Sequence, residues 1–241
     1  MIDRELDIQT ADGAMNTFVT HPEEGGPHPV VLFYMDAPGK RGELHDMARR
    51  LGTVGYFVIL SNLYYRRDRN FRVGQGDEAR RIMFEHMASL DRAKVLADAA
   101  AMLKFADGDP AARSGKIGVV GYCMSGPFAL WTAAEFADRV AAAASFHGVN
   151  LCTDSPESPH RCAADIKGEL YVGCAQTDSW APPEMIQALD AHLRTTPVRY
   201  RIETYPGSQH GFVFPKRENV YHNASAERHW ERLIALFRSN L

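Results

Sequence analysis

Five short, almost purely apolar runs limit the folds open to this chain more than any other feature: "HPVVLFYMD", "YFVILSNLYY", "KIGVVGYC", "AAAASFHG" and "ELYVGCAQTD". A strand that is apolar on every residue, rather than on alternate ones, has both faces covered, as in a parallel sheet flanked by helices. Helical patterns lie between these runs: "GELHDMARRLGTVG", a segment from Asp77 to Ala106 that reads as one helix or two with a bend, "MSGPFALWTAAEFADRV" and "PPEMIQALDAHLRTT". Pro182 and Pro183 fall near the start of the last of these, where a missing amide donor costs least. A sixth run, "VRYRIETYPG", and the terminal helix "SAERHWERLIALFRSN" complete the series. At the other end "RELDIQT" and "MNTFVTH" alternate apolar with polar residues around Asp12-Gly13, a hairpin signal. The expected fold class is α/β: a mostly parallel sheet with an N-terminal antiparallel hairpin at one edge and helices on both faces. At 241 residues a single domain, 1–241, is expected.

Composition removes several classes of function. Charged residues make up 24% and the formal net charge is -3, with Lys and Arg scattered among Asp and Glu, so no phosphate-binding stripe is offered to nucleic acid. The densest basic run, "YYRRDRNFR", reads as a solvated loop. No apolar stretch reaches the ~18 residues of a membrane helix, and "MIDRELDIQTADG" lacks the pattern of a secretory signal, so a cytoplasmic location is expected. The four cysteines, Cys123, Cys152, Cys162 and Cys174, form no CxxC pair. Neither a metal site nor a cofactor is expected from them.

One cysteine occupies a special place. Cys123 ends an apolar strand and begins a helical segment inside Gly121-Tyr122-Cys123-Met124-Ser125-Gly126, the G-x-S-x-G elbow pattern with cysteine in the central position. Small residues two places to either side let a sharp strand-to-helix turn close and lift the central side chain into a cleft. The turn also aims the Met124 amide at a developing oxyanion, and a helix N-terminus with a nearby imidazolium favours thiolate over thiol. Ser125 is the rival nucleophile, but its neighbours two places away are Cys123 and Pro127, which breaks the pattern. The bland alternative for Cys123 is a small buried hydrophobe.

In this elbow architecture the chain order is nucleophile, acid, histidine. His210, in "YPGSQHGF", directly follows the last apolar strand and is the expected base. His192 and His229 sit in helical patterns where exposure is expected, and His160 lies in the polar "DSPESPHR". His147 also ends a strand, but it precedes every candidate acid and is expected to line the cleft or assist substrate binding. For the acid, Asp178 ends "ELYVGCAQTD", whereas Asp154 and Asp165 lie in a Pro-, Ser- and Asp-rich loop and read as solvated carboxylates.

With "GYCMSG", "QTD", "GSQHGF", "LFYMDAPG" and "SNLYYR" in these places, the chain resembles the dienelactone hydrolase family of the α/β-hydrolase fold over almost its full length. The resemblance implies a cysteine-dependent carboxylic ester hydrolase acting on small lactones or esters through a Cys-His-Asp triad and an acyl-thioester. It implies an oxyanion hole from the backbone amides of Met124 and Ala37. Asp36 falls where the family carries a thiol-activating glutamate, one methylene longer; its alternative role is to anchor the "APGKRG" turn. Family members clamp a substrate carboxylate with two arginines; Arg80 and Arg81 match one clamp position, and the motif after His210 supplies no second. Tyr64, Phe84, His147 and Phe212 are the remaining substrate-binding candidates. The expected partner is a small-molecule lactone or ester, with no nucleic acid, membrane, metal or organic cofactor, and the expected assembly is a monomer or weak homodimer. A redox-sensing thiol or a ligand-binding domain without hydrolytic activity are the alternative functions, and neither needs an acid–histidine pair behind the thiol.

Overall fold

A computed structural model describes residues 1–241. The chain forms two compact units, residues 1–115 and 116–241. In the first, β1 (Ile2–Thr10) and β2 (Gly13–His21) make the expected hairpin, closed by the Thr10–Gly13 pair, with Gly13 at φ 130°. β2 pairs antiparallel with β4 (Phe57–Ser61), which pairs parallel with β3 (His28–Tyr34), giving the order β1-β2-β4-β3. All five residues of β4 are buried, as the unbroken apolar run requires. Helix α1 (Gly42–Gly52) packs on β4 and β2, and α3 (Arg92–Asp107) packs on β1 and β3.

The long helical segment is two helices, α2 (Gly76–Ala88) and α3, one of the two readings its sequence allows. The break has a local cause. Asp91 is extended, and its carboxylate accepts the Lys94 amide at 2.9 Å, a side-chain cap that starts a new helix where propensity alone would continue the old one. The basic run after β4 is held by carboxylates. Arg66 meets Asp98 through two 2.8 Å hydrogen bonds and Asp12 at 2.7 Å, and Arg69 meets Asp7 at 2.8 and 3.0 Å.

In the second unit β5 (Ala112–Tyr122, its first residues in the preceding unit), β6 (Val140–Phe146), β7 (Glu169–Thr177) and β8 (Arg199–Gln209) run parallel in sequence order. The small residues of β6 have a packing reason: helices α4 (Gly126–Glu135) and α6 (Asn223–Asn240) both contact it. A short 3₁₀ turn, Cys123–Ser125, separates β5 from α4, and a second, Pro159–Asp165, packs against α4 and α5 (Pro183–Leu193). The expected exposure of His229 is corrected: it is fully buried. It belongs to the stripe Ala226, His229, Trp230, Leu233, Leu236, Phe237, whose three- and four-residue spacing marks the inward face of α6. No helix is long and apolar enough to cross a membrane.

Asp91→Ala removes the cap that begins α3. It is expected to lower unfolding free energy by about 1 kcal/mol in urea denaturation, with Asp91→Asn closer to wild type.

Candidate active site

Cys123 has φ +56°, a left-handed conformation that a non-glycine residue holds only when its surroundings impose it. Three of those surroundings are visible. Ser125 is fully buried, and its hydroxyl accepts the Tyr122 amide at 2.9 Å while donating to the Tyr122 carbonyl at 3.0 Å, drawing the turn closed. The Val149 amide donates to the Cys123 carbonyl at 3.1 Å. Gly121 and Gly126 allow two close approaches: a Cβ on the first would collide with the Ser125 carbonyl, and one on the second with Gly148 and the Ser145 hydroxyl. Ser125 is thus a structural brace whose hydroxyl is committed to the main chain, and Cys123 stands at the apex.

The partners come from the adjacent strands β7 and β8. Their last registered pair is Thr177 with Gln209, so the next residues, Asp178 and His210, leave the sheet side by side. The Gln176 side chain accepts the Gly207 amide at 2.6 Å, and the Gln176 amide donates to the Ser208 hydroxyl at 3.3 Å, stitching the strand ends together. His210 Nδ1 donates to Asp178 Oδ2 at 2.8 Å. The other carboxylate oxygen, Oδ1, accepts the Trp180 and Ala181 amides at 2.9 and 3.0 Å, which fixes its plane. The Asp178 side chain is 1% exposed and that of His210 16%.

Cys123 also lies close enough to His210 to act on its charge. Burial opposes a charge on the imidazole, but the hydrogen bond to Asp178, and the influence of Cys123 and of the carboxylate's charge, outweigh it and raise its pKa to about 9. Cys174, buried close to Asp178, is pushed the other way: desolvation first, then the carboxylate's charge, raise its thiol pKa to about 12, so it stays protonated. Asp178 and His210 are therefore paired where β7 and β8 end, and Cys123 belongs to the same unit at the end of β5.

The remaining candidates have specific surroundings. In the first unit Asp36 is fully buried, and Arg41 bonds both its oxygens, one at 3.3 Å, while also holding Glu43 at 2.7 and 3.0 Å. That ion pair anchors the turn after β3, which the Gly39 amide closes on the Asp36 carbonyl at 2.9 Å with φ +84° at Gly39. Tyr64 is buried, and its hydroxyl donates to the Ala37 carbonyl at 2.9 Å. Arg81 lies on the exposed side of α2, its guanidinium held by Glu78 and Glu85, and exposed Arg80 lies over the ring of Phe84. In the second unit Met124 is buried in the elbow turn, Phe212 is fully buried against Tyr205, and Asp154 and Asp165 are exposed as expected.

His147 does not line an open cleft: it is fully buried, its ring 4.8 Å from that of His210. Sequence reasoning also missed the group behind the elbow. Tyr122 donates to His229 Nε2 at 2.9 Å, and both rings pack on Phe146. The apolar stripe of α6 was the signal that could have found His229.

Residues 15–241 match the model of the dienelactone hydrolase family. A relative from Methylorubrum extorquens, provisionally named a carboxymethylenebutenolidase, is 28% identical over 99% of this chain and 81% of its own length. One of the same provisional name from Synechocystis is 27% identical over 93% of this chain and 91% of its own. A crystal structure of a provisionally named dienelactone hydrolase from Klebsiella pneumoniae superposes with a TM-score of 0.87 at 25% identity, covering 98% of both chains.

Replacing the brace tests the elbow. Ser125→Ala leaves the buried Tyr122 amide without its acceptor, an expected loss of about 1–3 kcal/mol in chemical denaturation. Alkylation of Cys123 by iodoacetamide should persist in the folded variant.

Proposed function

Because this chain belongs to the dienelactone hydrolase family, we propose that it hydrolyses small lactones and activated esters with Cys123 as nucleophile, His210 as acid–base and Asp178 as the group that orients it. The observation that carries this reading is the 2.8 Å hydrogen bond from His210 to the buried carboxylate of Asp178, with Cys123 near enough to raise the pKa of the same imidazole. A redox sensor or a ligand-binding domain has no use for a carboxylate that fixes the tautomer of an imidazole beside its thiol. The names of the relatives favour a butenolide-type lactone as substrate.

In the first step the Cys123 thiolate adds to the substrate carbonyl carbon, and the carbonyl electron pair moves to oxygen. The Met124 amide is the proposed donor to that oxyanion. Collapse expels the alkoxide, which takes the proton from the His210 imidazolium and leaves an acyl-thioester; in a lactone the alcohol stays tethered to the acyl group. With the thiolate consumed, one contribution raising the histidine pKa is gone, so the imidazole is free to act as base. It takes a proton from water as the hydroxyl adds to the thioester carbon. Collapse of this second tetrahedral species returns thiolate beside imidazolium and releases the carboxylic acid, which ionises in solvent.

Thiolate is also a good leaving group, so lactones and activated esters are favoured over amides. Asp36, bonded by Arg41, is assigned to anchoring the turn that carries Ala37 rather than to activating the thiol. With Arg81 held by Glu78 and Glu85, a double-arginine clamp on a substrate carboxylate is not part of this reading. The whole chain, residues 1–241, is taken to act as one catalytic domain.

Two measurements test the proposal. Cys123→Ala is expected to lower kcat/KM for an activated lactone by at least ~10⁴-fold, and retention of full activity would exclude thiol chemistry. The raised histidine pKa sets the sign of the pH dependence: imidazolium is present below about pH 9 and lost above it, so kcat/KM should fall as pH rises through about 9. Asp178→Asn removes one of the contributions raising it and should move this limb to lower pH, with kcat reduced on the order of 10³–10⁴-fold.

A further inference from the structure

His147 has three features that, taken together, ordinary core packing does not account for. Its backbone is at φ +39° just past the end of β6, a strained conformation pinned by its amide, which donates to the Gly173 carbonyl at 2.7 Å. Its ring is fully buried, and neither nitrogen has a hydrogen-bond partner on another residue, although an apolar side chain of similar shape would fill the space without that desolvation cost. Third, the ring meets His210 edge to face, centroids 4.8 Å apart and planes at 66°.

Phe212 and Phe214 also pack on His147, at 5.7 and 5.6 Å and edge to face, and Tyr122 lies at 6.1 Å. The ring contacts therefore run from residues after β8, through His147, to the imidazole that carries the proton. The Asp178 hydrogen bond grips His210 at a single atom, Nδ1, and the His147 ring packs against the imidazole itself. A wall on one side of the ring resists a combined shift of its two side-chain torsions that would carry it away from the thiol.

We propose that His147 is a positioning residue for His210: its buried ring is the wall that keeps the imidazole in the orientation bridging Asp178 and Cys123. This rests on the triad reading above. His147 suits a site where a neighbour becomes cationic, because desolvation first, and then the charges of His210, Arg217 and His229, hold its own pKa well below the usual histidine value. A group so disfavoured from taking a charge suits a place beside an imidazole that gains one. The groups facing His210 are then Asp178 from the end of β7, Cys123 from the elbow and His147 from the end of β6.

The test compares three variants, each with its melting temperature measured. His147→Phe keeps a ring wall without nitrogens; His147→Leu keeps bulk without a ring face; His147→Ala removes both. Expected are near wild-type kcat and pH profile for His147→Phe, and for His147→Leu and His147→Ala a kcat lower on the order of tenfold to 100-fold with KM little changed. In those two, iodoacetamide alkylation of Cys123 at neutral pH should also slow and its pH dependence shift, which a loss of stability alone would not produce in protein that is still folded.

Wild-type kcat and alkylation profile in His147→Leu would overturn the proposal, as would a His147→Phe variant as slow as His147→Ala. Cys123→Ala separates the two levels. If it abolishes hydrolysis while every His147 variant behaves as wild type, the positioning role alone falls; if hydrolysis survives it, the triad reading falls as well.

Discussion

The site depends first on one hydrogen bond, 2.8 Å from His210 Nδ1 to Asp178. It holds the proton on Nδ1, which leaves the other ring nitrogen as the proton acceptor in the proposed mechanism. Much of the surrounding structure serves to make that bond. The parallel register of β7 and β8 delivers the two residues as consecutive steps off a shared pair, and the Gln176 and Ser208 bonds keep the strand ends from fraying. The Trp180 and Ala181 amides hold the carboxylate plane, and burial strengthens every charge interaction made there.

On the thiol side a cost is accepted for position. A left-handed cysteine is worth ~1–2 kcal/mol of backbone strain, and Ser125, Gly121 and Gly126 are the residues whose bonds and missing side chains hold the turn in that state. The Ser125 hydrogen bonds give the proposal of Cys123 over Ser125 its physical reason. A hydroxyl that both accepts from and donates to the Tyr122 main chain closes the elbow, and it is already committed when a substrate arrives.

Much of this was legible in the chain itself. Unbroken apolar runs marked the buried strands because covering both faces leaves no polar alternation, and the elbow glycines marked Cys123 because only they permit the close approach. Asp178 and His210 were legible because each directly follows a strand. What stayed hidden depends on contacts between elements distant in the chain. His229 read as a helical surface residue until the packing of α6 turned it inward. His147 read as part of a cleft, since no local pattern says that its ring packs on His210. Asp36 carried two readings, and its partner Arg41, five residues on, became evident only once the turn after β3 was folded. The break between α2 and α3 rests on one cap at Asp91, a feature that helical periodicity averages away.

The central claim is that the reacting acyl group passes through the sulfur of Cys123. Rapid acid quench during steady-state turnover of a lactone, followed by peptide mass spectrometry, tests it most directly. The expected result is the mass of the ring-opened acyl group on the peptide containing Cys123, appearing and disappearing at rates consistent with kcat. Turnover without any adduct under conditions that trap thioesters, or an adduct on Ser125, would contradict it.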